Sequence, residues 1–170
     1  TTMRDKYLND NSIVIKNESD TFFYNLEKSD NLNLNFLNEL FVKKDLINEF
    51  YAPVSLDEFP YPDWGGYTKK FPLRNDFFSL KQKIAVPLLG TRGCPYSCFF
   101  YCTYPLQQGR KVRARSVENI INEIKYWKKE LGTNKFVFRD PVFSINRKHT
   151  IEFCKQIIDQ KLDITFMVET

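Results

Sequence analysis

The sequence lacks the features that direct a chain to a membrane or to nucleic acid. Among its 170 residues, no apolar run approaches the roughly 18 residues that a membrane-spanning helix needs. The first residues, TTMRDK, also lack the apolar stretch of a secretory signal. The formal net charge of +4 is too small to argue for a nucleic-acid surface by itself. We therefore expect a cytoplasmic protein that binds neither membrane nor nucleic acid.

Histidine is nearly absent, whereas cysteine is present and clustered. His149 is the single histidine, while Cys94, Cys98 and Cys102 fall within nine residues. Without secretory features, this clustering indicates metal binding in a reducing compartment more than disulfides. Three thiolates can hold three irons of a [4Fe–4S] cluster and leave the fourth iron open. The alternative is a structural zinc site, for which the fourth ligand would have to come from His149 or from Cys154 on a predicted apolar helix face.

The second half of the chain carries three strand patterns. Residues 84–89 and 135–138 predict buried strands, and residues 162–168 predict a third. Helical patterns lie between them, and strands that alternate with helices at this spacing imply parallel βαβ units. The sequence therefore predicts an α/β fold with a parallel sheet.

Each of the two intervening helices has recognisable ends. Ser116 is a favourable N-cap and Gly132 a favourable C-terminal stop for the first helix. Its apolar stripe consists of residues 117, 120, 121, 124, 127 and 131. Asn146 can cap a second helix that runs through Gln160. Its predicted inward-facing residues are Ile151, Cys154, Ile157 and Ile158.

The first 80 residues form a predicted N-terminal extension of the core at 81–170. Residues 12–16 and 21–25 predict a β-hairpin, and residues 31–50 predict a helix. Residues 51–76 contain six prolines or glycines, which predict an extended connector without regular secondary structure.

The cysteine segment resembles a known family. Residues 90–102, GTRGCPYSCFFYC, resemble the cluster loop of radical S-adenosylmethionine (SAM) enzymes. Residues 108–119, QGRKVRARSVEN, and residues 138–143, FRDPVF, resemble the subgroup whose members often carry a cobalamin-binding domain upstream. Residues 56–64, LDEFPYPDW, are similar to the segment that leads from that domain into the barrel. The usual family spacing between the cysteines is three residues and then two, whereas this chain has three and then three, which a bulge in the loop would absorb.

The resemblance implies a fold and a chemistry. The fold is a partial (βα) radical SAM barrel, of which this chain would supply about the first three βα units; we therefore expect a fragment of a longer protein. Cys94, Cys98 and Cys102 would bind the [4Fe–4S] cluster, and SAM would chelate the remaining iron. Cleavage of SAM would start radical chemistry on an unknown small-molecule substrate, with cobalamin as a further candidate cofactor and flavodoxin or ferredoxin as electron donor. The alternatives are a non-catalytic metal-binding module, holding zinc or a degenerate cluster, and an inactive fragment.

The resemblance also suggests residues that contact SAM. Tyr101 corresponds to an aromatic position near the adenine, although a simple loop aromatic would look the same. Asp140 and Glu169 follow the second and third strands, where relatives place polar SAM contacts; a turn residue and an exposed terminus are the alternatives. Arg113 and Arg115 belong to a basic run, residues 110–115, that could hold the SAM carboxylate or form a solvated face.

Overall fold

The computed structural model describes residues 19–29, 54–70, 85–98 and 101–170. Its helical elements are α1 (Ser19–Glu27), the short 3-10 turn η1 (Leu56–Glu58), α2 (Trp64–Lys70), α3 (Tyr104–Gln107), α4 (Val117–Leu131) and α5 (Arg147–Asp159). Its strands are β1 (Ala85–Leu88), β2 (Thr91–Arg92), β3 (Arg113–Ala114), β4 (Lys135–Phe138) and β5 (Thr165–Met167). None of the described helices is long and apolar enough to cross a membrane.

A three-stranded parallel sheet forms the centre of the fold. The strand order is β1-β4-β5, and the register places Lys135 between Ala85 and Thr165. This confirms the predicted α/β fold with a parallel sheet. The first and third strands are shorter than residues 84–89 and 162–168, the predicted ranges. Closure into a partial barrel stays a prediction.

Helix α4 follows its predicted boundaries because both ends are capped locally. The Ser116 Oγ accepts a hydrogen bond from the Asn119 backbone N–H at 3.1 Å, and Gly132 adopts a left-handed conformation with φ of 61°. The predicted apolar stripe packs on the sheet; its buried members are Val117, Ile120, Ile121, Ile124 and Trp127. The stripe therefore holds β1 and β4 in place under the helix.

Helix α5 is capped as predicted, but the face that it buries differs from the predicted face. The Asn146 Oδ1 accepts from the His149 N–H at 3.2 Å. Phe153 is the buried residue of this helix, and its ring packs 5.3 Å from that of Phe138. Successive helical residues turn by about 100°, so this orientation leaves Ile151 and Ile158 at the edge of the buried face. The prediction that these two isoleucines face inward is wrong: they are 40% and 71% exposed, respectively.

The N-terminal predictions are corrected where the structure describes those residues. Residues 21–25 lie in helix α1 and do not form a strand. Phe22 and Leu26, one helical turn apart, are both buried, and Asp20 lies in the first turn, where the helix dipole favours an anion. The proposed partner strand at 12–16 and the helix predicted for 31–50 lie outside the described residues.

The connector contains regular structure that the sequence did not predict. Turn η1 and helix α2 interrupt residues 51–76, so the prediction of a connector without regular elements is wrong for those stretches. The prolines at 60 and 62 precede α2 and so do not interrupt it. The Asp63 Oδ1 accepts from the Gly66 N–H at 2.8 Å and satisfies a backbone donor of the first turn.

Candidate functional site

The three clustered cysteines lie on one loop at the carboxyl end of the parallel sheet. Strand β2 begins three residues after β1 ends, and it pairs antiparallel with β3, with Thr91 opposite Ala114. The pairing closes the loop of residues 93–112. We call residues 90–94 and 108–115 the loop root and residues 95–107 the loop crown. In α/β folds, ligands bind at this edge of the sheet.

Gly93 allows two backbone segments of the root to approach closely. Its φ is 91°, and a Cβ placed there would lie 2.2 Å from the Lys111 carbonyl oxygen. The Gly93 N–H donates to Gln108 Oε1 at 3.1 Å, and the Cys94 N–H donates to the Gly109 carbonyl at 3.1 Å. The position therefore requires glycine for both conformation and space.

Asp140 fastens the loop root to the end of β4. Its side chain is buried, with 1% exposed, and its Oδ1 accepts from the Gly90 N–H at 2.7 Å. Its Oδ2 accepts from the Thr91 hydroxyl at 2.8 Å. Burial raises the pKa of this carboxyl above its usual range, although the hydrogen bonds from Gly90 and Thr91 act in the opposite direction. Both oxygens thus bind the root, and the predicted contact with SAM stays a prediction.

The cysteines differ in their exposure. Cys94 is buried in the root, Cys98 is exposed in the crown and Cys102 is half-buried; all are free thiols. In the part of the chain that the structure describes, no three Cys, His, Asp or Glu side chains are close enough together to hold a metal ion. The donor set nevertheless has the chemistry of an iron–sulfur site, since three thiols that no disulfide occupies share one short loop. Residues 99–100, which contain the additional residue, lie outside the described residues.

The two candidates for a fourth zinc ligand are not grouped with the cysteines of the loop in the part of the chain that the structure describes. The His149 Nε2 lies 2.8 Å from the Arg115 carbonyl oxygen, to which it would donate. Cys154 lies on α5 and packs against the hydrophobic core.

Arg115 is held inside the fold. Its Nη1 donates to the Leu89 carbonyl at 3.0 Å and to the Glu123 Oε2 at 2.5 Å, and its Nε donates to the Asn119 Oδ1 at 2.8 Å. The Tyr61 ring lies 5.7 Å from the guanidinium carbon. Because Glu123 is buried, this ion pair satisfies a charge that would otherwise be costly. Sequence reasoning missed this role, since the basic run alone gives no sign of the carboxylate eight residues later.

Arg110 bridges the root and the crown. Its Nη1 donates to the Ser97 Oγ at 3.0 Å and approaches the carbonyl oxygens of Tyr96 and Pro95 at 3.4 and 3.5 Å. The guanidinium thus braces the segment between Cys94 and Cys98. The spacing of the residues gave no signal for this contact.

The remaining predicted SAM contacts lie nearer the surface. Tyr101 is 72% exposed in the crown. The Arg113 Nη2 donates to the Gln108 carbonyl at 3.4 Å, across the root. Glu169 follows β5, and its Oε1 lies 3.5 Å from the Arg139 Nη1. Their role toward SAM stays a prediction.

Comparisons with known proteins find enzymes that are similar to parts of this chain. No protein-family model matches the sequence. An uncharacterized methyltransferase of Pyrococcus horikoshii is 35% identical over 79 residues, 46% of this chain and 17% of that protein. An anaerobic magnesium-protoporphyrin IX monomethyl ester cyclase of Cereibacter sphaeroides is 33% identical over 101 residues, 59% of this chain and 16% of that protein. The chain thus spans about a sixth of the length of these relatives.

A solved structure is also similar. It is the radical SAM methyltransferase TsrM of Kitasatospora setae, with tryptophan substrate and a SAM analogue bound; it matches 65% of this chain and 18% of its own, at 18% identity and a TM-score of 0.45. The sequence relatives are methyltransferases and cyclases, that is, enzymes. The similarity to these enzymes agrees with the resemblance to the radical SAM superfamily that the sequence shows.

Proposed function

We propose that this chain is the cluster-binding portion of a radical SAM enzyme and that Cys94, Cys98 and Cys102 hold its [4Fe–4S] cluster. The observation that supports this most is the placement of three free thiols on one loop, whose root is fixed by Gly93 and Asp140 at the carboxyl end of a parallel sheet. When bound, the cluster would supply the electron that cleaves SAM into methionine and a 5′-deoxyadenosyl radical.

The cysteines have different tasks in this proposal. Cys94 is fixed, because its N–H is bonded within the root and its side chain is buried. Cys98 and Cys102 lie in the crown, exposed and half-buried, and would take up their ligand positions as the cluster binds. Each thiol must lose its proton to become a ligand, so loading releases protons and is favoured at higher pH. Arg110, beside Ser97, would offset part of the resulting negative charge.

The proposed SAM contacts divide into direct and indirect ones. Glu169 would accept from the SAM amino group, Tyr101 would stack on the adenine and Arg113 would bind the SAM carboxylate. Asp140 and Arg115 are bonded into the fold, so we assign them a supporting role, in which they hold the root and the first turn of α4 in position.

The names of the relatives suggest a substrate class and a further cofactor for the whole protein. The names of the relatives describe methyl transfer and cyclisation on small molecules, so we propose a small-molecule substrate and cobalamin as a further cofactor. An electron donor of the flavodoxin or ferredoxin type would reduce the cluster, in the cytoplasm. Residues 81–170 would form the incomplete radical SAM core and residues 1–80 its extension.

Anaerobic reconstitution with iron and sulfide tests this function. We expect a brown protein with about four irons, which forms 5′-deoxyadenosine from SAM after reduction. Cys94→Ala, Cys98→Ala and Cys102→Ala should each lose most of the iron, whereas Cys154→Ala, on α5, should retain it. A colourless protein that holds one zinc would overturn the proposal in favour of the zinc module. A protein that binds iron but forms no 5′-deoxyadenosine would support the proposed cluster and contradict the proposed cleavage of SAM.

A further inference from the structure

The loop root has two arms, and each receives a hydrogen bond from the chain that follows β4. The first arm, residues 90–94, is bonded by Asp140 at the end of that strand. The second arm, residues 108–115, ends at Arg115, whose carbonyl oxygen lies 2.8 Å from the His149 Nε2 on the first turn of α5. The chain between these two side chains therefore spans both arms of the root.

The start of helix α5 fixes the position from which the His149 ring extends. The His149 backbone N–H donates to the Oδ1 of Asn146, the N-cap, at 3.2 Å. A carbonyl oxygen only accepts hydrogen bonds, so the Nε2 that faces the Arg115 carbonyl must carry a proton. Because the ring is half-buried, water competes less for this bond than it would at an exposed surface.

The backbone of Arg115 joins the two arms. Its N–H donates to the Gly90 carbonyl at 2.9 Å, and the Gly90 N–H donates to the Asp140 Oδ1 at 2.7 Å. A continuous series of hydrogen bonds thus runs from Asp140 through both arms to His149. The Cys94 N–H bonds to a carbonyl of the second arm, so movement of that arm would change the surroundings of the buried Cys94 thiol.

We propose that His149 is a positioning residue for the cysteine loop, because its bond to the Arg115 carbonyl holds the second arm against the first and keeps the Cys94 thiol buried. The ring acts through the backbone of Arg115, so His149 is neither a ligand nor a catalytic group. The importance of a fixed Cys94 for a cluster rests on the proposed function, whereas the contact between His149 and the root does not.

Alkylation of the purified, iron-free chain by iodoacetamide tests the inference, with modification at each cysteine measured by mass spectrometry. A buried thiol reacts when its surroundings open, so its rate reports local opening. His149→Leu removes the donor and should accelerate alkylation of Cys94 about fivefold. His149→Gln, whose amide nitrogen can replace Nε2 as donor, should stay within about twofold of the parent. Lys148→Gln, at the exposed neighbouring position, should leave the rate unchanged.

A matched core variant separates positioning from overall stability. Ile124→Val removes one methyl group from the buried face of α4, and its effect on overall stability should be similar to the loss of one hydrogen bond. Urea denaturation measures the overall stability of this variant and of His149→Leu. We expect Cys94 to keep the parent rate in Ile124→Val. His149→Phe, which keeps a ring without the donor, repeats the comparison if the leucine variant does not fold.

A second experiment uses the reconstituted protein and measures the rate at which a chelator removes iron. His149→Leu should lose iron about fivefold faster than the parent, and His149→Gln should not, because the loop that carries the thiols is held less firmly only in the leucine variant. A chain that loads no iron would contradict the proposed function, and the alkylation rates would still decide the role of His149.

Four outcomes would overturn the inference. These are an unchanged Cys94 rate in His149→Leu, an equal acceleration in Ile124→Val, failure of His149→Gln to restore the parent rate, and loss of iron from His149→Leu at the parent rate.

Discussion

The root and the crown of the cysteine loop are held by different forces. In the root, Gly93 brings two backbone segments into contact, and the buried Asp140 bonds to Gly90 and Thr91. Among the described residues, the exposed side chain of Arg110 bonds to Ser97 of the crown, and the Gln108 N–H of the root donates to the Tyr104 carbonyl of the crown at 2.9 Å. The thiol of Cys94 is therefore buried in the root, whereas those of Cys98 and Cys102 lie on the crown, exposed and half-buried. In the proposed site, Cys94 would be the fixed ligand and Cys98 and Cys102 would move to the metal, so that binding need not rearrange the sheet.

The substitution with the largest expected effect disrupts the root at its closest backbone contact. Gly93→Ala places a methyl group against the Lys111 carbonyl and imposes a left-handed backbone on an L-residue. We expect a loss of about 4 kcal/mol in the free energy of unfolding, measured by urea denaturation. Gly109→Ala is the matched control, since Gly109 has a φ of 79° but open space around it, and it should cost about 1 kcal/mol. Equal costs for the two variants would contradict the close approach.

The next largest effect is expected from the loss of the hydrogen bonds between the root and Asp140 at the end of β4. Asp140→Ala leaves the Gly90 N–H and the Thr91 hydroxyl without their buried acceptor, which should cost about 3 kcal/mol in the free energy of unfolding. Asp140→Asn retains one acceptor and should cost about half as much. Thr91→Val removes one of these two hydrogen bonds by removing its donor, and it is the variant with which Asp140→Ala is compared. A neutral Asp140→Ala would show that the root is held by other contacts.

The pH dependence of stability sharpens the same comparison. The pKa of Asp140 in the folded protein is raised above its usual value of 3.8, chiefly by burial. The folded state therefore binds this proton more tightly than the unfolded state does. The resulting contribution is full below pH 3.8 and declines as the pH rises through the folded pKa. Urea denaturation across this range should show the stability of the parent falling relative to Asp140→Asn, which cannot titrate; a parallel pH dependence would contradict the assignment.

The smallest effect concerns the crown. Arg110→Ala should change the free energy of unfolding by less than about 0.5 kcal/mol, because an exposed side chain makes these contacts. It should nevertheless accelerate amide hydrogen exchange at Tyr96 and Ser97, which the guanidinium braces. Lys111→Ala removes a neighbouring exposed charge and should leave both amides unchanged. Faster exchange in both variants would indicate a general loss of charge, and not the loss of a specific brace.

The core elements were predictable because local sequence determines them. Ser116, Gly132 and Asn146 fix helix ends through contacts within a few residues, and the periodic apolar stripe of α4 determines its buried face. Helix α5 was less predictable: its orientation depends on how the Phe153 ring fits between Phe138 and Phe166, which belong to other elements.

The site was predictable in its cysteines and less so in its support. Three cysteines within nine residues are visible in the sequence itself. The contact of Asp140 with Gly90 spans 50 residues, and the β2–β3 pair consists of only two residues on each side, so no local pattern marks them. The helix α1, predicted as a strand, shows the same limit, since a short run of aromatic and polar residues suits both structures.

The central claim is that three thiols on this rooted loop hold a [4Fe–4S] cluster and leave one iron open to SAM. Electron paramagnetic resonance of the reconstituted, reduced protein tests it most directly. We predict the signal of a reduced [4Fe–4S] cluster, a clear change in that signal when SAM is added, and loss of the signal in Cys98→Ala. A cluster signal that SAM leaves unchanged, or a signal that persists in Cys98→Ala, would contradict the account.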